Sequence, residues 1–289
     1  MSDNAASAPR SLDALLPAEM ALRAETVGEA KASMPLARLI PLSILAGAFI
    51  SLGAMFSTTV TAGGGVPPGV SRLLAGMTFS LGLVLVVVGG AELFTGNNLV
   101  VMAVASRRVR LRTFVRHLTV VYLGNFVGAV GTALLVFWSG HPRGGGGAVG
   151  VRALDIAAAK TSLGTVAAIL SGVLANALVC LAVWLSFSAR TLIDKVVAVA
   201  LPVTAFVAAG FEHSIANMYF IPEALFIKAW GDDRFWAAAH TNSSRYPTVD
   251  IRGLLLGNLL PVTIGNLIGG SALVGLVYWF IYLRQEVRS

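Results

Sequence analysis

Two stretches of the sequence place polar and ionisable residues inside long apolar runs. The first lies at 210–222 (GFEHSIANMYFIP), where Glu212, His213 and Asn217 stand close together within the apolar run 196–227. Ionisable residues at membrane depth are costly and are functional candidates for that reason. Histidine exchanges protons near neutral pH because its reference pKa is about 6.5. The stretch therefore predicts a histidine beside a transport path, and not an ordinary core histidine.

The second stretch, 89–98 (GGAELFTGNN), disfavours a continuous helix that faces lipid. Glycines and asparagines surround Glu92 there, much as Gly210 and Pro222 flank the histidine stretch. Non-helical backbone at membrane depth is tolerated only where it is buried in protein or lines a cavity. We therefore expect both stretches to be broken helices. We also expect the carboxylates of Glu92 and Glu212 to accept the free backbone N–H groups of the breaks.

The composition indicates that an integral membrane protein positions these stretches. The chain has 289 residues, of which 56% are hydrophobic and only 12% are charged, whereas a soluble domain has about 25% charged residues. A helix crosses a bilayer with about 20 apolar residues. The net charge of +7 is expected to lie mainly in cytoplasmic loops, which carry an excess of lysine and arginine. We expect no nucleic-acid binding from it.

The apolar runs predict an all-α membrane protein with six transmembrane helices, two of them broken at mid-membrane. Residues 1–38 mix leucines with charges of both signs, which predicts a cytoplasmic amphipathic segment at the membrane surface; the alternative is a disordered tail. Residues 39–283 are expected to form the transmembrane pore domain, and residues 284–289 a cytoplasmic tail. The expected spans are 39–60, 73–104, 114–138, 163–187, 196–227 and 254–282.

Two features recur in the same order in both halves of the chain. Spans two and five both break at a Gly-x-Glu cluster, and spans three and six both contain Gly-Asn-x-x-Gly, at 124–128 and 265–269. Each half has three spans, an odd number, so the halves must have opposite orientations in the membrane. Inverted repeats with discontinuous helices around a midplane site are typical of transporters. The basic run at 107–116 places both termini on the cytoplasmic side.

Four segments carry a resemblance to a known family. They are AELFTGNN at 91–98, NALVCLAVW at 176–184, FEHSIANM at 211–218 and LPVTIGNLIGG at 260–270. With these segments the chain resembles the formate–nitrite transporters over essentially its whole membrane part. The resemblance implies an aquaporin-like inverted 3+3 fold, a homopentamer with a pore in each subunit, and a multi-pass protein of the bacterial inner membrane. It also implies passage of small monovalent weak-acid anions, with the formate branch most similar.

The resemblance further implies the roles of individual residues. Thr95 resembles the mobile hydroxyl of the loop in span two, Lys160 the lysine of the outer vestibule, and His213 the central histidine. The expected pore and proton-relay residues are His213, Thr95, Lys160, Asn176, Glu212 and Asn217. The expected constriction residues are Phe79, Leu83 and Phe206 on the outer side, and Leu93 and Val179 on the inner side.

A bare carboxylate is unstable in a dry pore, because the idealised cost of transferring such an ion is of order 20 kcal/mol. A fixed cation at the mouth raises the local anion concentration, and Lys160 suits that role. A proton donor further in neutralises the anion, and His213 suits that role. The residues leave open whether His213 gives the proton, or gives only a hydrogen bond while water supplies the proton.

Other classes of function fit the residues less well. A membrane enzyme would need a nucleophile or a metal cluster, but the four histidines are scattered and Cys180 is the single cysteine. We therefore expect no enzymatic activity, no metal and no cofactor. A water or glycerol channel would carry paired Asn-Pro-Ala motifs, which the sequence lacks. A nitrite or hydrosulfide channel on the same scaffold is the alternative to formate transport.

Overall fold

The computed structural model describes residues 13–284, and this part of the chain is helical. Residues 1–12 of the expected N-terminal segment and residues 285–289 of the expected tail lie outside the described range. The helices are α1 (Pro17–Ala32), α2 (Leu36–Val60), α3 (Pro68–Gly89), α4 (Gly96–Ala105), α5 (Leu111–Trp138), α6 (Ala148–Thr161), α7 (Thr165–Ser188), α8 (Leu192–Ala209), α9 (Ser214–Trp230), α10 (Asp233–Ala238) and α11 (Gly253–Tyr282).

Six of these helices are long and apolar enough to cross a membrane, within the described residues. They are α2, α3, α5, α7, α8 and α11. The helices α4 and α9 are the second halves of the expected spans two and five, which are interrupted between α3 and α4 and between α8 and α9. The prediction of six spans with two broken helices is confirmed. Each expected span agrees with the observed helices to within about five residues at either end, the usual error of boundaries read from sequence.

The two breaks have the same backbone geometry. Helix α3 ends at Gly90 with φ 78°, and helix α8 ends at Gly210 with φ 76°. The next N–H group, of Ala91 or Phe211, donates to the carbonyl five residues earlier at 3.0 Å in both cases. Such left-handed C-caps favour glycine because other residues are strained at positive φ. A Cβ atom would meet nothing within 4 Å at either position, so the backbone angle, and not space, requires glycine there.

The Gly-Asn-x-x-Gly motif brings two pairs of helices into close contact. In the first half Gly128 of α5 lies against the carbonyl of Ile44 in α2, and at the equivalent position of the second half Gly269 of α11 lies against the carbonyl of Val173 in α7. A Cβ atom at either glycine would overlap these backbone atoms. Small residues allow this close approach between membrane helices. The matching contacts confirm the inverted repeat of three helices plus three.

Substitution of Gly128 is expected to separate α5 from α2. Gly128→Ala places a methyl group on the Ile44 carbonyl, and we expect it to destabilise the protein by about 1–3 kcal/mol, as overpacked cores do. Gly131→Ala is the matched control, because Gly131 lies one turn further along α5 with open space around it. The control should melt at or above the temperature of the parent, since alanine favours helices. Melting of both variants in one detergent measures the difference; equal melting temperatures would contradict the proposed contact.

The described part of the N-terminal segment packs on protein. In α1, Met20, Ala21 and Ala24 are buried in a cluster that includes Trp184 of α7. Glu25 is also buried, and its carboxylate pairs with Arg108, which lies between α4 and α5, at 2.9 Å. Helix α1 therefore docks on the ends of the transmembrane helices.

Candidate functional site: two cavities on either side of a buried histidine

A cavity of about 350 Å³, here called the α6 cavity, opens beside α6 and reaches His213. Its wall carries three cationic and two acidic side chains, which are Arg72, Arg152, Lys160, Asp155 and Glu212. Burial lowers the pKa of Arg152, an effect opposed by the Asp155 carboxylate, but arginine remains protonated in proteins. The cavity thus has a small excess of positive charge.

Four side chains at the floor of the α6 cavity form a hydrogen-bonded set, the α6 network. The Lys160 Nζ donates to Glu212 Oε1 at 3.0 Å. The other carboxylate oxygen, Oε2, accepts from Asn217 Nδ2 at 2.6 Å and from Asn258 Nδ2 at 3.2 Å. Glu212, Asn217 and Asn258 are buried, and buried charges require such pairing to be tolerated. The fourth member, Asn258, was not expected from the sequence.

A second cavity of about 320 Å³, the α1 cavity, lies beside α1 in the other half of the chain. Its wall carries three cations and one carboxylate, which are Arg23, Lys31, Lys195 and Glu92. Both cavities therefore present more positive than negative charge, an arrangement that concentrates anions.

The α1 cavity has its own set of polar side chains, the α1 network. The Lys31 Nζ lies 2.7 Å from Glu92 Oε1 and donates to Asn97 Oδ1 at 3.1 Å. Asn97 Nδ2 donates to Glu92 Oε2 at 2.6 Å and to His117 Nε2 at 3.0 Å. Sequence reasoning assigned no role to Lys31 or His117. The repeat was the signal that could have found Lys31, because Lys31 and Lys160 each lie five residues before the first transmembrane helix of their half, α2 and α7.

Asparagines, and not the glutamates, satisfy the free backbone groups of the breaks. The Phe94 N–H donates to Asn125 Oδ1 and the Ser214 N–H donates to Asn266 Oδ1, each at 2.9 Å. The amide groups of Asn125 and Asn266 donate in turn to the carbonyls of Glu92 and Glu212 at 2.9 and 3.0 Å. The expectation that the carboxylates accept backbone N–H groups is therefore corrected. An amide both donates and accepts, and a carboxylate cannot fill both roles.

His213 links the two breaks. Its Nε2 atom lies 2.9 Å from Thr95 Oγ1 of the first break, and both residues are buried. Its Nδ1 atom accepts from the Ala216 N–H at 3.1 Å, so the imidazole caps the N-terminus of α9. A ring nitrogen that accepts a hydrogen bond carries no proton, and a neutral imidazole then has its single N–H at the other nitrogen. The geometry therefore favours a neutral His213 with the proton on Nε2.

Apolar side chains lie beside His213 in the α6 cavity and also line the α1 cavity. Phe79 and Phe206 line the α6 cavity with ring centroids 5.8 Å apart, and the Phe206 ring stacks on the His213 ring at 5.9 Å. Leu93 lines the α1 cavity. Leu83, expected with the two phenylalanines, also lies on the α1 cavity. It is one helical turn from Phe79 on α3, so about 6 Å of helix separates the two cavities there.

Asn176 and Val179 lie away from both cavity walls. The Asn176 Nδ2 atom donates to the backbone carbonyl of Asn266 at 2.6 Å. This bond joins α7 to α11 near the close contact made by Gly269. Asn176 is thus placed to hold two helices together and not to contact a molecule in either cavity. Val179 is buried in the apolar core.

The site combines two cationic cavities, an apolar layer formed by Phe79, Phe206 and Leu93, and one N–H group, that of His213, within this layer. Such a layer rejects a bare ion, and a single donor within it favours a species that accepts one hydrogen bond.

Comparisons with known proteins agree with this chemistry. The family model described as "Formate/nitrite transporter" matches residues 18–280. The "Formate channel FocA" of Escherichia coli (strain K12) is 44% identical over 275 residues, covering 95% of this chain and 96% of the relative.

Solved structures match over similar lengths. The "Pentameric formate channel with formate bound" superimposes with a TM-score of 0.82 at 42% identity, covering 86% of this chain and 98% of that one. The "FNT family ion channel" superimposes with a TM-score of 0.74 at 30% identity, covering 92% of this chain and 98% of that one. These relatives are channels, not enzymes. The chain belongs to the formate/nitrite transporter family of membrane proteins.

Proposed function

We propose that this protein conducts formate and similar small monovalent weak-acid anions through a pore in each subunit of a homopentamer. One observation carries the proposal: one cation-bearing cavity reaches His213, a second one reaches Leu93 and Gly96 on either side of Thr95, and the buried His213 and Thr95 side chains are in contact. The relatives named as formate channels support the choice of substrate, and the pentameric relative supports the assembly.

The cavities and the apolar layer have different roles in transport. The cations of each cavity concentrate the anion near the layer. Phe79, Phe206 and Leu93 then exclude the hydrated ion, because a carboxylate loses too much solvation in an apolar constriction. The anion passes as the neutral acid, and desolvation itself favours protonation of a carboxylate.

The proton comes from water in the cavity and not from His213. In the neutral tautomer, His213 has one N–H and would have to become an imidazolate to give it up. Protonation of both ring nitrogens would place an N–H at Nδ1, opposite the Ala216 N–H that now donates to it. It would also put a positive charge at the N-terminus of α9, where the helix dipole is unfavourable to cations. His213 therefore acts as a hydrogen-bond donor that holds the passing molecule beside Thr95.

We place the protein in the bacterial cytoplasmic membrane with both termini in the cytoplasm. The α1 cavity then faces the cytoplasm and the α6 cavity faces outward, in agreement with the basic run at 107–116. Residues 1–38 form the cytoplasmic N-terminal segment, residues 39–283 the pore domain and residues 284–289 the cytoplasmic tail.

Stopped-flow measurements on liposomes that contain the purified protein test the proposed function. Formate, nitrite, hydrosulfide and glycerol are supplied in separate experiments, with protein-free liposomes as the control. We expect rapid formate flux accompanied by proton movement, and no glycerol flux. Nitrite or hydrosulfide flux well above that of formate would reassign the substrate, and glycerol flux alone would reject the proposal. Native mass spectrometry of the same preparation tests the pentamer.

A further inference from the structure

The two helices that line the cavities from outside the transmembrane bundle, α1 and α6, carry the same pair of cations. In α1, Arg23 lies eight residues before Lys31, and in α6, Arg152 lies eight residues before Lys160. Residues that are eight apart share a side of an α-helix, and eight residues span about 12 Å. Arg23 and Lys31 both line the α1 cavity, and Arg152 and Lys160 both line the α6 cavity. Each cavity therefore has an arginine two helical turns away from its lysine.

The lysines and the arginines of these pairs differ in their partners. Lys31 pairs with Glu92 at 2.7 Å. Lys160 pairs with Glu212 at 3.0 Å. Each lysine thus neutralises a buried carboxylate, and the pair is neutral as a unit. Among the described residues, neither arginine forms an ion pair with a carboxylate. The arginines therefore carry positive charge that is available to an anion in the cavity.

Arg152 lies where the α6 cavity adjoins a third cavity, here called the glycine cavity. The glycine cavity has a volume of about 510 Å³, and Arg152 and Asp155 line both it and the α6 cavity. Its wall includes glycines from the loop between α2 and α3 and from the loop between α5 and α6, which are Gly63, Gly64, Gly145 and Gly146. An anion that enters through the glycine cavity therefore meets Arg152 before it reaches Lys160.

A threonine orients the Arg152 side chain and leaves its outer N–H groups available. Arg152 Nε donates to Thr61 Oγ1 at 3.0 Å, and Thr61 Oγ1 donates in turn to the Ser57 carbonyl at 2.8 Å. The Nε bond is the hydrogen bond that this side chain makes within the described part of the chain. A guanidinium has five N–H donors, so the two Nη atoms retain theirs. Their fork matches the two oxygens of a carboxylate.

The Asp155 carboxylate limits the charge of an anion that can bind beside Arg152. Asp155 lies one turn after Arg152 on α6 and also faces both cavities. Its Oδ1 atom accepts from the Tyr246 hydroxyl at 3.3 Å. A second negative charge on a ligand would be repelled by this carboxylate. The site therefore suits a monovalent anion and disfavours a dianion.

We propose that Arg152 is the first binding site for a small carboxylate at the entrance of the α6 cavity, about 12 Å before Lys160 along α6. The anion binds through two parallel hydrogen bonds to the Nη atoms and then passes to the inner part of the cavity. This site rests on the proposed function and adds to it the residue that favours planar oxyanions such as formate. A spherical anion gains the charge of Arg152 but not the paired hydrogen bonds.

Anion binding to the purified protein in detergent tests the site without any transport. Titrations with formate and with chloride are followed by the broadening of the NMR signal of each anion. Arg152→Lys keeps the charge and removes the fork. We expect it to weaken formate binding about fivefold, the scale of one net hydrogen bond, and to leave chloride binding unchanged. Arg152→Gln also removes the charge and should weaken the binding of both anions.

Arg234→Lys and Arg234→Gln are the matched controls. Arg234 is exposed and lies outside the walls of the α6 and glycine cavities, so both titrations should equal those of the parent. Formate binding by Arg152→Lys that equals the parent overturns the proposal, and so does an equal loss of formate and chloride binding in that variant. If Arg152→Gln folds poorly, the lysine variant decides alone.

The binding titrations and the liposome assay separate this site from the proposed function. Absence of formate flux, together with the expected loss of formate binding in Arg152→Lys, would reject the transport function and retain the site. Formate flux in the parent, together with unchanged formate binding in Arg152→Lys, would retain the transport function and reject the site.

Discussion

Replacement of His213 with phenylalanine is expected to reduce formate flux by about 2- to 10-fold at neutral pH, the loss that corresponds to one hydrogen bond between neutral groups. Phenylalanine keeps an aromatic ring of similar bulk against Phe206, so the apolar layer stays closed. It removes the N–H that faces Thr95 and the cap on the Ala216 N–H. Stopped-flow flux in liposomes measures the effect, and flux equal to that of the parent would remove His213 from the mechanism.

His213→Asn separates a hydrogen-bond donor from a titrating group. Asparagine is among the best helix N-caps, and its amide can accept from Ala216 while it still donates towards Thr95. Because the structure favours a neutral His213, we expect this variant to conduct formate and to keep the proton coupling of the parent. A pH-sensitive dye inside the liposomes follows the protons. Formate flux without proton movement would show that His213 supplies the proton, contrary to our proposal.

Replacement of Lys160 with glutamine is expected to reduce formate flux by about tenfold or more at low salt and low substrate, the lower end of electrostatic focusing effects. The change removes the charge that attracts the anion and leaves the Glu212 carboxylate, 5% exposed, without its cation. The deficit should shrink as salt rises, since charges in an open cavity are screened over about 8 Å at physiological ionic strength. Flux measured across a series of salt concentrations gives the dependence.

Two further variants show whether charge or shape causes the loss. Lys160→Gln combined with Glu212→Gln restores the net charge of the pair and should recover part of the flux at low substrate. Arg234→Gln removes one positive charge from an exposed position outside the cavity wall and should have little effect. If Lys160→Gln conducts like the parent at low salt, Lys160 has no part in attracting anions.

Much of the fold could be predicted because lipid imposes strict rules on sequence. Long apolar runs must be helices, since backbone groups have no other partners in a bilayer. Gly90 and Gly210 end helices at positive φ angles, which are strained for other residues. Glu92 and Glu212 mark the breaks because a buried charge is tolerated only where it has hydrogen-bonding or charged partners. The repeat and the position of His213 in the second break followed from these local features.

The tertiary structure alone decided the partners of those residues. Lys31, His117 and Asn258 lie 61, 25 and 46 residues along the chain from the glutamates that they approach, and no local pattern marks such distant pairs.

The sequence by itself thus determined the six spans, the two breaks and the central histidine, because each depends on neighbours in the chain. Only the fold decided that asparagines satisfy the breaks, that Asn176 joins two helices, and that the Ala216 N–H favours the neutral tautomer of His213. Hydrogen bonds act over about 3 Å in space, so their partners are set by how the helices pack and not by their order along the chain.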